Sequence, residues 1–256
     1  GYLALTAELY ADNGDGTVNN QDTFGFAALC DTNINSFMQA SDIYVVTRHD
    51  DGSFEFSMYG EKLLNLYEKL YNWSKNESTY LWGWGDRENE KVIVDFLDGR
   101  TYFTHAELGT KYLSATFDVG ILPLPKYDTA QKEYAHVNWG DNIAVPNSVK
   151  NTKMVGETLE LLSYYSRTVV RPKFYDDVLE LRVSNAPDDR EMVELICDTV
   201  VFDPGIAYCD GSAQLFALVY LPKECLLTGQ ENIASYYQKN ERAASRFLER
   251  SIYGKE

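Results

Sequence analysis

The stretch FDVGILPLPKYDTAQKEYAHVNWGDNIAVP, residues 117–146, decides how we interpret the rest of the chain. It opens with the apolar run 119–122, which Pro123 and Pro125 bring to an end. Such a run, stopped at once by prolines, is typical of a strand that is buried on both faces and followed by a turn. The stretch therefore predicts an α/β fold rather than an all-helical one.

Two further extended segments are predicted inside the same stretch, at residues 134–137 and 143–146. Between them lies the sequence Asn-Trp-Gly-Asp, which contains Trp139 and Asp141. In open α/β sheets, ligands usually bind just beyond the ends of strands. We therefore expect Trp139 and Asp141 at a ligand-binding end of a sheet.

Residues 120–134, GILPLPKYDTAQKEY, followed by a strand and AVPNS, resemble the extracellular solute-binding proteins of ABC importers. The similarity is greatest to the family 1-like, sugar-binding branch of Gram-positive bacteria, and it covers nearly the whole chain. It implies an α/β clamshell of the type II periplasmic-binding-protein kind. This chain would supply mainly the C-terminal lobe, with the hinge and the helices that cross it.

The resemblance also implies a division of the chain into four parts. Residues 1–23 would hold a helix end and a calcium-like loop near the hinge, and residues 24–140 the α/β C-terminal lobe. Residues 141–200 would form a hinge strand and helices that pack on an N-terminal lobe, and residues 201–256 the closing helices. The N-terminal lobe and a lipid-anchor cysteine are expected ahead of Gly1.

The function implied by the resemblance is binding of a sugar or oligosaccharide and its delivery, by hinge closure, to the transmembrane subunits of an ABC permease. The protein would be a non-enzymatic, extracellular lipoprotein of a bacterial cell surface, attached to the membrane only through an anchor outside this chain. The alternative is a secreted carbohydrate-active hydrolase or its glycan-binding accessory module. A dockerin-like module is disfavoured, because the chain has one such loop and is far too large.

Charge and composition limit the classes of partner. The net charge is −16 at pH 7, so phosphate backbones are repelled and nucleic acid is not an expected partner. Nineteen tyrosines and four tryptophans provide flat amphipathic surfaces of the kind that stack on sugars, although we expect most of the tyrosines in the core. No apolar run is long enough to span a bilayer.

The four cysteines show neither CxxC nor Cys/His metal spacing. Their scatter favours isolated buried thiols over a disulfide framework. One bridge among Cys197, Cys209 and Cys225 stays open as an alternative.

Residues 11–22, ADNGDGTVNNQD, resemble a calcium loop of the EF-hand type. With Gly16 at the sixth position, the expected oxygen ligands are Asn13, Asp15, Thr17 (through its carbonyl), Asn19 and Asp22. The first ligand position holds Ala11 instead of Asp, and the acid has moved to Asp12. The alternative is a solvated turn rich in Asx and glycine that needs no metal. Any bound calcium would be structural.

Trp139 and Asp141 are the strongest candidate ligand residues, because an indole face stacks on a pyranose while a carboxylate accepts its hydroxyls. His105 and Glu107 are added by their place after a predicted strand; the alternative for them is a helix-capping role. Trp82 and Trp84 complete the set of expected ligand residues, as platforms in the cleft, as a lid, or as anchors of their loop to the lobe.

Neighbouring acids at 176–177 and 188–189 indicate helix starts rather than a glycosidase pair, whose carboxylates must face each other.

Residues 75–90 are polar and predict irregular structure. The other predicted elements are strands at 23–29, 43–47, 54–57 and 100–104, and helices at 34–40, 59–74, 92–97, 174–183, 191–200 and 213–220, with a helix face at Val155, Leu159 and Leu162 and closing helices from residue 233.

Overall fold

The computed structural model describes residues 2–30, 32–82, 91–105, 115–138, 143–174 and 187–253. The helices are α1 (Tyr2–Thr6), α2 (Thr32–Ala40), α3 (Glu61–Ser74), α4 (Lys91–Leu97), α5 (Thr152–Tyr165), α6 (Pro187–Asp198), α7 (Pro204–Tyr208), α8 (Ala213–Val219), α9 (Leu221–Leu227) and α10 (Ile233–Tyr253). The strands are β1 (Phe24–Leu29), β2 (Val46–Arg48), β3 (Phe54–Phe56), β4 (Thr79–Trp82), β5 (Thr101–Thr104), β6 (His136–Val137) and β7 (Val200–Val201).

The chain divides into two compact units. The first contains Gly1–Gly109, Leu124–Trp139 and Ile196–Glu256, and the second contains Thr110–Pro123 and Gly140–Leu195. The first unit carries all of the strands named above. It is therefore the unit in which a sheet can position functional side chains.

A three-stranded parallel sheet, in the order β4-β1-β5, forms the centre of the first unit. The chain leaves the carboxyl end of β1 and returns as β4 on one side; α4 then leads to β5 on the other side. An antiparallel hairpin, β2-β3, and a parallel pair, β6-β7, complete the described strand pairings. The predicted α/β class is confirmed.

The core of the first unit is built on β1, where Phe24 to Ala28 are buried without interruption. Phe26 packs against Trp73 of α3, with ring centroids 4.3 Å apart. A strand covered on both faces needs apolar side chains at successive positions, which is the pattern seen in β1. The predicted face of α3 is also confirmed, because Leu63, Leu66, Tyr67 and Leu70 are all buried.

Helix α2 is buried along the whole of residues 33–40, although it carries several polar side chains. Three of these form bonds to parts of the chain that are remote in sequence. Asn33 donates to the carbonyl of His105, Asn35 accepts from the backbone N–H of Lys223, and Gln39 donates to Asp203. Because buried polar groups are costly unless they are satisfied, these bonds specify how α2 is oriented in the core.

Asp203, only 2% exposed, is the most heavily bonded of these partners. Its carboxylate accepts from the backbone N–H groups of Val45 (2.8 Å), Val46 (3.2 Å) and Gly205 (2.8 Å), and from Nε2 of Gln39 (3.2 Å). Burial raises the pKa of Asp203, and the four hydrogen bonds oppose that rise. A side chain at Gly205 would place its Cβ 2.7 Å from Cβ of Val45, so this close approach requires glycine.

The second unit is dominated by α5, which continues through a π-helical segment, Ser166–Val170. Neither segment buries a residue. The exposed apolar side chains are Met154, Leu161, Leu162, Tyr164, Tyr165, Val169 and Val170. The predicted helix is confirmed here, and its apolar side chains lie at the surface.

The predicted strand at 119–122 is wrong. Residues 115–123 form neither helix nor strand, and Leu122 is 62% exposed. Two prolines follow and remove backbone donors. In addition, the N–H of Ile121 donates to the side-chain carboxylate of Asp189 at 3.0 Å. This N–H is therefore not available to pair with a neighbouring strand.

The predicted strand at 143–146 is also absent from the described backbone, and Ile143 is 76% exposed. By contrast, the extended segment at 134–137 is confirmed in its second half as β6. The strand β4 was missed, because its four residues lie between polar segments and are too few for a clear pattern of alternation.

Two other features concern the whole described chain. All four cysteines are free, so the possible bridge among Cys197, Cys209 and Cys225 does not form in this structure. Of the described helices, none has both the length and the apolar character needed to cross a membrane.

We expect Asp203→Asn to lower the free energy of unfolding by about 2–4 kcal/mol, because the new amide N–H₂ would face backbone donors in a buried site. Asp51→Asn is the matched control, since the Asp51 carboxylate accepts from Ser53 in an exposed turn. Urea denaturation of both variants measures the difference. Equal losses in the two variants would contradict the role given to Asp203.

Candidate functional site

The carboxyl edge of the parallel sheet contains one of the predicted ligand residues. β5 ends at Thr104, and His105 follows it directly. On the far side of the edge, β1 leads into α2, whose Asn33 donates through Nδ2 to the His105 carbonyl at 3.0 Å. Because β4 and β5 lie on opposite sides of β1, the chain reverses direction across the sheet here, and such a point is where open α/β sheets form ligand crevices.

The His105 ring is neutral at physiological pH. Burial lowers its pKa from 6.5 to about 4; an interaction of the ring with the backbone of Asn33 opposes this shift, and His136 adds to it. The ring lies beside Phe37, with centroids 6.2 Å apart. Nδ1 is buried and accepts or donates no hydrogen bond within the described part of the chain. In a neutral imidazole each nitrogen either donates or accepts one hydrogen bond, depending on the tautomer.

Trp82, the second described candidate, ends β4 and is 5% exposed. Its ring meets Tyr80 edge-on at 4.9 Å, and its carbonyl accepts from the N–H of Cys30 at 2.8 Å. Burial raises the pKa of the Asp95 carboxyl, and Arg100 is the main opposing influence. This placement favours the anchoring alternative for Trp82 over an open stacking platform.

The other predicted ligand residues, Trp84, Glu107, Trp139 and Asp141, lie outside the described residues. Their roles stay predictions. Sequence reasoning did not select Asn33, which the structure brings to His105. Its position in the first turn of the helix that follows a buried strand was the available signal, because polar residues at that place face the carboxyl edge of the sheet.

His136 is a buried histidine that sequence reasoning did not single out. Its Nε2 accepts from the N–H of Leu124 at 3.1 Å. The proton must therefore lie on Nδ1, which donates to Oγ1 of Thr199 at 2.7 Å. Burial lowers the pKa of His136. With both ring nitrogens bonded to protein, His136 positions β6 and is not a candidate for binding ligand.

The calcium-like loop is closed at its base by a backbone bridge between Ala11 and Thr23. Ala11, which stands where the first ligand was expected, thus joins the loop to the start of β1. The three acids Asp12, Asp15 and Asp22 each offer a carboxylate oxygen, and these oxygens lie within 4.8 Å of one another. Asp12 thus lies close to Asp15 and Asp22, and its Oδ1 accepts from the backbone N–H groups of Gly14 and Gly16.

Asp22 organises the loop from its end. It accepts from the backbone N–H groups of Asn19 and Asn13, both at 3.0 Å, and these bonds, in that order, hold the pKa of its carboxyl below the usual range. Burial opposes the effect, and the Tyr10 hydroxyl donates a further bond at 3.0 Å. The Asp22 carboxylate is therefore ionised well below neutral pH.

The distances between the carboxylate oxygens of the loop can be compared with those that a bound Ca²⁺ requires. Two oxygens that bind one Ca²⁺ at 2.3–2.6 Å are at most about 5 Å apart, so the carboxylate cluster fits. Of the other predicted ligands, the Thr17 carbonyl accepts from Asn19, and Asn13 Oδ1 accepts from the N–H of Asp15. Such internal bonds also hold a solvated Asx turn together. Bound calcium stays a prediction.

The chain matches no protein-family model, no curated protein and no solved structure.

We expect the stability of the protein to fall as the pH drops from about 6.5 to about 4. Above this window His105 is neutral in both states; within it, only the unfolded chain takes up the proton. The loss attributable to His105 is at most about 3 kcal/mol. Denaturation at pH 7 and pH 4.5 should show a smaller loss in His105→Gln than in the wild type.

The matched control is His49→Gln, because His49 is half-exposed beside Glu55. It should keep the wild-type loss between the two pH values. The same loss in wild type and His105→Gln would show that the pKa of His105 is not lowered in the folded protein.

Calcium binding predicts a second measurable effect. Chelator should lower the melting temperature and added calcium should restore it, because a ligand at a hundredfold excess over its Kd stabilises by roughly 2.7 kcal/mol. The paired change Asp12→Asn and Asp15→Asn should abolish the response, whereas Asp50→Asn, in the exposed hairpin turn, should retain it. Identical melting temperatures with and without chelator would show that residues 11–22 form a turn that binds no metal.

Proposed function

We propose that this chain forms the C-terminal lobe, hinge and crossing helices of an extracellular solute-binding protein. In this proposal it binds a sugar or oligosaccharide in a type II clamshell and delivers it to the transmembrane subunits of an ABC permease when the hinge closes. It has no catalytic step, it carries at most a structural calcium, and it is held at a bacterial cell surface by a lipid anchor outside this chain.

The observation that carries the proposal is the arrangement of β4-β1-β5 with Asn33 and His105 at its carboxyl edge. A parallel sheet whose central strand precedes both of its neighbours in sequence has a reversal point at this edge. Ligands of open α/β sheets bind at such a point. His105 was selected from the sequence for its position after a strand, and this is where β5 ends.

The chemistry of the edge suits a neutral, hydroxyl-rich ligand. A neutral imidazole pairs well with a hydroxyl group and poorly with an anion, which would require a positive charge. The residues proposed to complete the site are Trp139 as a stacking platform and Asp141 as an acceptor of hydroxyls. Glu107 and Trp84 are proposed to contribute further contacts.

A second observation supports the two-lobe part of the proposal. Helix α5 exposes a long row of apolar and aromatic side chains and buries none of its residues. Contiguous apolar surface of this kind marks an interaction face. The resemblance predicts that the helices of 141–200 pack on an N-terminal lobe, and such packing would cover this face.

The alternative of a hydrolase requires two carboxylates that face each other across a substrate. Of the neighbouring acids considered for that role, Asp189 lies in the first turn of α6 and uses Oδ1 to accept the N–H of Ile121. This hydrogen bond gives Asp189 a structural role, because it holds the segment around Ile121 against α6. The binding function is therefore preferred.

We expect the full-length product of the gene to bind at least one member of a panel of di- and oligosaccharides in titration calorimetry. Trp139→Ala should weaken this binding by ~100-fold or more, because removal of a stacking platform from a buried site costs several kcal/mol. His105→Asn should weaken it by about tenfold, the value of one hydrogen bond. His49→Asn is the control and should bind as the wild type does.

Two outcomes would overturn the proposal. Turnover of a labelled oligosaccharide would identify an enzyme rather than a binder. Unchanged affinity in both Trp139→Ala and His105→Asn, with sugar still bound, would place the site elsewhere in the protein.

A further inference from the structure

The closing helix α10 carries a line of basic side chains that has no part in the sugar site. Its members are separated by three, four and four residues, and they are Lys239, Arg242, Arg246 and Arg250. With 3.6 residues per turn, this spacing places all four within about 80° of one another around the helix axis. The line is about 16 Å long, because each residue advances the helix by about 1.5 Å. The four cations are therefore contiguous on a single helix, and we call them the basic row.

The packing of α10 fixes the direction in which the basic row faces. The side of the helix that meets the core carries the buried residues Ile233, Tyr237, Ala244 and Leu248. Tyr237 stacks on Tyr59 with ring centroids 4.5 Å apart, and the Phe247 ring leaves no room for a side chain at Gly211. The basic row lies about 160° around the axis from the buried side, and all four of its members are exposed. The row therefore faces solvent along its whole length.

The solvent-facing side of α10 keeps a net positive charge when the acids of the helix are counted. Glu241 lies about 100° or more around the axis from every member of the row, and its Oε1 accepts from the Tyr237 hydroxyl at 3.3 Å. Glu249 borders the row near its carboxyl-terminal end, so four positive charges and one negative charge share this side. No ion pair joins a member of the row to an acid within the described part of the chain.

The helices with the main contacts to α10 are α8, α9 and α3, and they do not bring acids to the row. α8 contains no acidic residue, and Glu224 of α9 is paired with Lys223 at 3.0 Å. Glu61 and Glu68 of α3 lie about 160° or more around that helix from its buried side. These three helices meet α10 in the core, whereas the row is on the opposite side.

The row selects a narrow anionic partner. A membrane would also meet the other charges of a chain whose net charge is −16, and those charges repel an anionic surface. A narrow partner interacts mainly with charges within the Debye length, about 8 Å at physiological ionic strength. Three members of the row are arginines, and a planar guanidinium group can bond both oxygens of one carboxylate. Carboxylates presented on a narrow element therefore suit the row.

The spacing of the row matches a helix better than an extended strand. Successive members are about 4.5–6 Å apart along the axis of α10. A partner helix with acids at intervals of three and four residues repeats these distances. Alternate side chains of a strand are about 6.6 Å apart, so over the whole row a strand would be out of register by about 3 Å.

We propose that the basic row of α10 docks an acidic helix of a partner protein. The partner helix carries its acids on one face at intervals of three and four residues, and their carboxylates pair with the four cations of the row. This docking goes beyond the proposed sugar binding and does not depend on it, because no member of the row is among the residues proposed for the sugar site.

The test uses the whole protein and a fluorescein-labelled, alanine-based helical peptide whose four glutamates lie on one face at intervals of four, four and three residues. Fluorescence anisotropy should show binding at low salt that weakens as salt is added, because salt screens exposed charges. A peptide of the same composition, with its glutamates distributed around the helix, should bind at least about fivefold more weakly, because it cannot present all of them to the row.

Paired variants of the protein test which arginines are responsible. Arg242→Gln with Arg246→Gln should weaken binding of the one-faced peptide about tenfold, because two exposed ion pairs are lost. The matched control is Arg48→Gln with Arg167→Gln, which removes the same charge from exposed positions outside α10 and should stay within about twofold of the wild type.

Each of four outcomes would overturn the proposal: no binding of the one-faced peptide at low salt, equal affinity for the two peptides, equal losses in the two paired variants, or binding of phosphatidylglycerol vesicles through these arginines without binding of the peptide. Melting curves establish that the variants are folded. If a paired variant is unfolded, Arg246→Gln and Arg48→Gln alone replace the pairs, with an expected loss of about threefold in the first and none in the second.

Discussion

The buried carboxylate of Asp203 connects three parts of the first unit that are far apart in sequence. It accepts hydrogen bonds from the start of the β2 hairpin at Val45 and Val46, from Gln39 near the end of α2, and from Gly205 in α7. A buried charge costs several kcal/mol unless its bonds are complete, so all of these donors must be present together. Hairpin, α2 and α7 are therefore held in one arrangement.

Helix α2 carries that constraint to the candidate site. Its last turn bonds to Asp203 through Gln39, and its first turn bonds to the end of β5 through Asn33 and the carbonyl of His105. The helix also follows β1, the central strand of the sheet. Because α2 is buried along its described length, it cannot shift without breaking bonds at both ends. The carboxyl edge of the sheet is thus positioned by a network whose centre lies elsewhere in the unit.

Local patterns predicted the elements that have several turns or several buried residues. The apolar face of α3 and the run of β1 are of this kind, and both formed as expected. Patterns failed where a segment was short or where a side chain remote in sequence decided the outcome. β4 has four residues, and the expected strand at 119–122 gives the N–H of Ile121 to the carboxylate of Asp189. No local pattern contains that partner.

By itself, the sequence determined the mixed α/β class, the helices and strands with clear periodicity, the acidic loop at 11–22 and the position of His105 after a strand. Those properties depend on neighbours along the chain. Only the tertiary structure decided the strand order β4-β1-β5, the burial of Trp82, the approach of Asp12 to Asp22 and the meeting of Asn33 with His105. Each of these depends on contacts between residues distant in sequence, whose loop-closure cost only the packed core offsets.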